Sequence, residues 1–264
     1  MTSPILLTGG TGTLGRLVSG RLQNAGCRVR VLSRARHGTG DDMEFVTGDL
    51  ATGQGIDAAV NGVATIVHCA GSAKGDGDKA RNLVRAASGV GVQHLVYISV
   101  VGAEQIPVVS RVDRAMFGYF ASKLDAERIV AHSGLPWTTL RATQFFDSML
   151  MVVRQMAKMP VIPVPGVRFQ PIDTGEVATR LVELALGKPS GLVPDIAGPR
   201  VYGMDELVGS YLRASHRRRL IMPVRLPGKA ARAVRDGANL APDRAVGHRT
   251  WEDFLAQRLG SGRT

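Results

Sequence analysis

The stretch Leu7-Thr-Gly-Gly-Thr-Gly-Thr-Leu-Gly-Arg16 decides the fold. It follows the apolar run Pro4-Ile5-Leu6-Leu7 and opens a run with Leu14, Leu17, Val18 and Leu22 at helical spacing. The order is strand, tight glycine turn, helix. Gly9, Gly12 and Gly15 recur at a fixed interval, and each has its own task in such a turn. Gly9 permits the turn, Gly12 lets the backbone approach a pyrophosphate, and Gly15 lets the helix pack on the strand. Free N–H groups and partial positive charge at the helix start suit a phosphate. Thr11, Thr13 and Leu14 complete the expected cradle.

Outward from this turn, apolar strand-like runs alternate with helical patterns. Strands are expected at Ile5–Thr8, Arg28–Leu32, Glu44–Thr47, Thr65–Cys69, His94–Ser99 and Trp137–Arg141. Helices are expected at Thr13–Ala25, Ile56–Val60, Asp78–Ser88 and Met116–His132. Runs such as Leu95-Val96-Tyr97-Ile98 lack strict alternation, as in strands buried on both faces. The predicted class is α/β: a doubly wound parallel Rossmann sheet. Residues 1–146 are assigned to the dinucleotide-binding core. Residues 147–264 are assigned to a smaller substrate lobe over the carboxyl edge of the sheet. There the texture changes: Met149 to Met159 is Met-rich, and Pro160, Pro163, Pro165 and Pro171 mark an irregular connection. Helices follow Asp173-Thr174, Gly203 and Thr250, the last with Asp253 placed for a capping box.

Length and composition narrow the class. A chain of 264 residues can bury a large core, and 44% hydrophobic with 21% charged residues is ordinary for a globular protein. No apolar run reaches the length of a membrane span. The few apolar residues after Met1 run straight into the glycine turn, so a cytoplasmic, non-exported protein is expected. Cys27 and Cys69 are too few for a disulfide framework. Net charge is +11, densest at His216-Arg217-Arg218-Arg219. No nucleic-acid motif accompanies it and aromatics are 5%, so no nucleic-acid partner is expected. Arginine on solvated faces is the simpler account of the charge.

Specific residues then point to chemistry. The second strand ends in Ser33-Arg34, where an NAD site usually places an acid for the ribose 2′-hydroxyl. An arginine there can instead meet a 2′-phosphate, with Arg16 and Arg36 nearby in sequence, so NADP(H) is expected over NAD(H). The plainer alternative is a solvated loop arginine. Asp49 and Leu50 follow the third strand, where a carboxylate can accept from adenine or cap the next segment. Cys69, Ala70 and Gly71 end the fourth strand with small residues where backbone passes close to a cofactor. His68 beside them reads as a packed, hydrogen-bonded residue. No metal site is expected.

Tyr119 and Lys123 stand four apart, on one face of a helix. An ammonium near a phenol favours the phenolate, so Tyr119 would exchange a proton with a substrate oxygen. Lys123 would also hold ribose hydroxyls. The alternative is a packed tyrosine and a solvated lysine. Ser99 ends the fifth strand, where a hydroxyl can polarise a carbonyl. Phe145, Phe146, Met149 and Met151 fit either an adaptable apolar pocket wall or plain core packing.

Together these motifs resemble the short-chain dehydrogenase/reductase superfamily, and most of all its atypical NmrA-like branch. The likeness rests on Thr8–Gly15, Gly48-Asp49-Leu50, Tyr97-Ile-Ser-Val-Val-Gly102, Tyr119 with Lys123, Gly134-Leu-Pro-Trp-Thr-Thr139 and Leu140-Arg-Ala-Thr-Gln-Phe145. Phe169-Gln-Pro-Ile-Asp173 with Glu176-Val-Ala178 is similar to the start of that branch's substrate lobe. The resemblance implies a Rossmann fold, a bound dinucleotide and, in active members, hydride transfer at a carbonyl, quinone or alkene. Val108 to Phe117 looks like an insertion against the branch, one that shapes a lid or displaces Tyr119. The branch also holds members that bind the cofactor without known chemistry.

The function expected is therefore an NADP(H)-dependent oxidoreductase acting on a small-molecule carbonyl, quinone or enone. A catalytically silent sensor of the NADPH/NADP ratio is the second reading, and a nucleotide-sugar epimerase the third. Dimers are common among related folds, and a homodimer fits all three.

Overall fold

The computed structural model describes residues 3–36, 43–72 and 74–260. In chain order its first elements are β1 (Ile5–Thr8), α1 (Thr13–Asn24), β2 (Val29–Ser33), β3 (Met43–Thr47), α2 (Ile56–Val60), β4 (Thr65–His68) and α3 (Asp76–Ser88). They continue with β5 (His94–Val100), α4 (Arg111–Ala131), β6 (Trp137–Ala142), α5 (Phe146–Met156), β7 (Val161–Pro165) and β8 (Arg168–Phe169). Last come α6 (Thr174–Leu186), β9 (Gly191–Leu192), β10 (Tyr202–Gly203), α7 (Met204–Ala214), β11 (Leu220–Val224), α8 (Lys229–Arg235) and α9 (Trp251–Gly260).

Seven strands form one parallel sheet in the order β3-β2-β1-β4-β5-β6-β9. Strand β1 pairs with β2 on one side and β4 on the other, so the winding reverses there. In open α/β sheets a crevice forms outside the carboxyl ends at such a reversal. The apolar strand runs are explained by burial on both faces. Leu6, Leu7, Ile66, Val67, Leu95 and Val96 are all fully buried. One face of the sheet packs Leu6, Ile66, Leu95 and Tyr97 against Ile56, Leu83, Ala126 and Val130 of the neighbouring helices.

The chain divides into two compact units. The first comprises Met1–Ser99, Gly118–Arg141 and Gly175–Pro194, and contains the sheet except its last residues. The second comprises Val100–Phe117, Ala142–Thr174 and Asp195–Thr264. Its core includes an aromatic cluster of Phe146, Trp251 and Phe254, with ring centroids 5.2 to 5.9 Å apart. Phe146 is therefore core packing, as are the buried Met149 and Leu150; Met151 points out at 68% exposure.

The expected elements form within a few residues of their predicted bounds, and three differences have physical causes. The connection through Pro160–Pro171 is not irregular throughout: Val161–Pro165 is β7, paired in parallel with β11. Proline tolerates this position because a two-stranded sheet leaves each strand one edge with no donor to satisfy. The apparent insertion at Val108–Phe117 is mostly helix, since α4 begins at Arg111 rather than Met116. Ser110 and Asp113 start it reciprocally, Ser110 Oγ donating to Asp113 Oδ2 at 2.8 Å and accepting the Asp113 N–H at 2.9 Å. Helix α8 and strands β9 and β11 carry no periodicity long enough to announce them.

Candidate functional site

The glycine turn is built as its spacing demands. Gly9 has φ +71°, and a Cβ there would lie 2.7 Å from the Ala70 nitrogen. A Cβ on Gly15 would lie 2.1 Å from the Gly9 carbonyl oxygen, so only glycine lets α1 begin this close to the turn. Gly12 differs: its N–H donates to Gly9 O at 3.0 Å, and a Cβ would meet only that oxygen, at 3.3 Å. The space beside Gly12 is open. No side chain caps α1, and no acid lies in its first turn, so its N-terminal dipole is left for a ligand.

A cleft of about 390 Å³ lies at the carboxyl ends of β1 to β4. Ten of the expected cofactor residues line it: Gly9, Thr11, Gly12, Ser33, Arg34, Asp49, Leu50, Cys69, Ala70 and Gly71. Thr13, Leu14 and Gly15 stand behind them as the start of α1. Arg34 is exposed at the end of β2, and Arg16 and Arg36 are exposed as well. Asp49 Oδ1 accepts the Ala51 N–H at 2.9 Å, so the carboxylate that borders the cleft also shapes its own turn. A Cβ on Gly48 would strike Gln54 O at 2.7 Å, which keeps this wall tight. The Cys69 thiol is pushed up to about 12 by burial, with Lys123 opposing, and so is inert near neutral pH.

Beneath Gly71 lies a buried polar cluster. Lys123 Nζ donates to the Ile98 carbonyl at 3.2 Å and stands 3.3 Å from Asp76 Oδ2. Asp76 is fully buried; its Oδ1 accepts the Ser72 N–H at 2.9 Å and lies 3.2 Å from Lys79 Nζ. Its own N–H donates to Ser122 Oγ at 3.0 Å. Burial works against the Lys123 charge, but Tyr97 and Asp76 hold the ammonium above its ordinary range. His68 is hydrogen-bonded with Thr8 Oγ1 at 2.6 Å and stacks on Tyr97 at 5.3 Å. Burial and the Lys123 charge push His68 down to about 3, so it stays neutral.

Tyr119 and Lys123 share a helix face as expected, but the ammonium does not activate the phenol. It sits 5.8 Å from the Tyr119 ring centroid and is engaged by Asp76 and Ile98. Tyr119 remains 40% exposed; the protein packed around its phenol first, and the Asp76 charge second, act to raise it above its usual value. Ser99 is 4% exposed, and its hydroxyl has no hydrogen-bond partner among the described residues. Tyr119, Lys123 and Ser99 are not part of the cleft lining; Lys123 reaches it only through Gly71, where a Cβ would lie 3.0 Å from Nζ. Asp76, Lys79 and Ser72 were not expected. An acid followed three residues later by a lysine at a helix start is their only trace in the sequence, and it is a common one.

A glycine turn at a reversal point of a parallel sheet, an uncapped helix and a cleft beside both define a dinucleotide-binding Rossmann protein. The chain belongs to the NAD(P)H-binding family, whose model matches residues 9–160. A (4-alkanoyl-5-oxo-2,5-dihydrofuran-3-yl)methyl phosphate reductase of Streptomyces griseus is 32% identical over 151 residues, 55% of this chain and 49% of the relative. The chain thus spans about half the length of that relative. An NAD(P)H azoreductase of Xenophilus azovorans is 26% identical over 222 residues, 81% of this chain and 74% of the relative. An NADPH-dependent quinone oxidoreductase from Escherichia coli, solved with NADPH, superposes with TM-score 0.78 at 16% identity, covering 96% of this chain and 99% of that one. Among the described residues no helix is long and apolar enough to cross a membrane.

Proposed function

We propose that this chain is an NADP(H)-dependent oxidoreductase that delivers hydride to a small or medium carbonyl, quinone or enone. The observation that carries the reading is the composition of one cleft. The glycine turn forms one side, Ser33 and Arg34 form the end of β2, and that strand end carries no acid. Gly9 to Gly12 would hold the pyrophosphate, and Arg34 the 2′-phosphate. Asp49 and Leu50 would border the adenine, and Cys69 to Gly71 would let the cofactor pass close to backbone. The reduced nicotinamide, when bound, supplies hydride. Tyr119 would hold a proton for the substrate oxygen, since a raised phenol stays protonated through neutral pH. Ser99 would orient that oxygen. The reductase and azoreductase relatives support the reductive direction.

One observation favours a second reading, a catalytically silent NADPH/NADP sensor. Lys123 is committed to Asp76 and Ile98, which leaves Tyr119 without an activating cation. NADPH oxidation across quinones, aldehydes, ketones and enones, with Tyr119→Phe beside the native chain, separates the two. Carbonyl turnover lost in the variant supports the reductase with Tyr119 as proton donor. Quinone turnover kept in the variant supports hydride transfer without an enzyme acid. Tight NADPH binding with no turnover on any acceptor favours the sensor.

A further inference from the structure

The net charge of this chain is not spread over its surface. The runs 148–172 and 207–235 contain no Asp or Glu, yet hold three and eight Lys or Arg. The whole chain has 33 Lys and Arg against 22 Asp and Glu, so outside these runs the two signs balance at 22 each. The entire excess of +11 therefore lies in two segments.

The fold of the second unit joins them. Strand β7 lies in the first run and β11 in the second, and they pair in parallel, Leu220 opposite Val161 and Met222 opposite Pro163. The residues leading into both strands therefore leave the ribbon at the same end. These are Lys158 on one side and Arg217, Arg218 and Arg219 on the other, all exposed. Among the described residues none of the three arginines has an ion pair, and Arg219 bonds only the Arg218 carbonyl.

The ribbon has two unlike faces. Ile162 and Val164 are buried, whereas the alternate positions leave Val161 38%, Leu220 66% and Met222 48% exposed. Asp205 lies beside the far end of the ribbon, with Pro165, Pro223 and Val224, away from the arginines that precede β11. Large aliphatic side chains at this exposure, next to arginines without an ion pair among the described residues, are costly on a surface with no partner.

We propose that the β7–β11 face, with the arginines that precede β11, docks this protein peripherally on an anionic lipid surface. Arginines meet lipid phosphates while Leu220 and Met222 enter the headgroup boundary, the pairing of charge and shallow apolar contact that holds interfacial proteins. Nucleic acid fits less well, because the ribbon carries no exposed aromatic residue for stacking. An acidic protein would complement the arginines but does not account for Leu220 and Met222 standing out.

The test is co-sedimentation of the full chain with vesicles of phosphatidylcholine alone or with about a third phosphatidylserine, the mixture expected to matter most for a basic patch. Binding is expected only to the anionic vesicles and is expected to fall steeply with salt. Each arginine contributes about fivefold at such a surface, so R217A/R218A/R219A should weaken binding roughly a hundredfold. The conservative pair L220S/M222S keeps the charge and should weaken it about tenfold or more, through lost apolar burial. NADPH binding and melting temperature, unchanged in both variants, show that they fold. The proposal is overturned if anionic vesicles bind no better than neutral ones. It is also overturned if L220S/M222S binds as the native chain does while polyglutamate or duplex DNA competes as well as lipid.

Discussion

The ammonium of Lys123 and the carboxylate of Asp76 stand 3.3 Å apart inside the first unit, 3% and 0% exposed, under the backbone of Gly71. Two charges taken out of water are tolerable only as a pair, so each depends on the other more than the pair adds to stability. Asp76→Asn should cost about 3 to 5 kcal/mol, because it leaves a buried ammonium uncompensated. Lys123→Met should cost less, because Asp76 keeps Lys79 3.2 Å away. The double variant should recover part of the loss, since no charge stays fully buried; Lys79, which also loses Asp76, is partly exposed and can turn to water. Urea unfolding of the four proteins measures the coupling. Additive losses would show that Lys123 is neutralised elsewhere.

The glycines of the turn should fail in different ways. A side chain on Gly15 meets backbone at 2.1 Å, so Gly15→Val should prevent a stable fold. A side chain on Gly12 meets only one oxygen, at 3.3 Å, and otherwise enters the open cleft. Gly12→Val should therefore fold, with a melting temperature near that of the native chain, and bind neither NADPH nor NADH. Calorimetry with both nucleotides checks this. Nucleotide binding by Gly12→Val would remove the pyrophosphate from this turn.

The sheet and the glycine turn were legible in sequence because both are local. Apolar runs buried on two faces announce strands, and three spaced glycines announce a turn, with no room for Cβ at Gly9 and Gly15. Ten residues scattered between Gly9 and Gly71 could be placed in one cleft because a parallel sheet gathers its strand ends. The polar cluster was not legible. Asp76 and Lys123 lie 47 positions apart, and nothing near either one signals that they meet. Spacing put Lys123 beside Tyr119 on the helix, but the competing carboxylate decides what its ammonium does. The β7–β11 ribbon was hidden by its prolines, which normally argue against a strand.

Arg34 tests the cofactor assignment. It is exposed at the end of β2 and lines the cleft. If it meets a 2′-phosphate, Arg34→Ala removes one charge-assisted contact, worth about 1.5 to 3 kcal/mol. That is roughly a tenfold to hundredfold rise in the Kd for NADPH. The Kd for NADH should hardly move, since its ribose carries a hydroxyl instead. Fluorescence titration of both nucleotides into both proteins decides it. Equal weakening of the two would take the 2′-phosphate away from Arg34.

His68 should make the fold sensitive to acid. Burial and the Lys123 charge hold it near 3 in the folded chain, against about 6.5 when unfolded. Between these values the unfolded chain binds a proton that the folded chain refuses, so stability falls as pH drops below about 6.5. The loss is about 1.4 kcal/mol per pH unit, or about 2 kcal/mol by pH 5. His94, also lowered, first by burial, acts in the same direction. His68→Asn cannot take up that proton. It should be less stable than the native chain at pH 7.5, having lost the stack on Tyr97, yet show a flatter decline toward pH 5. Melting temperatures of both proteins at half-unit intervals measure the two slopes. Identical slopes would mean that His68 is protonated within the native fold.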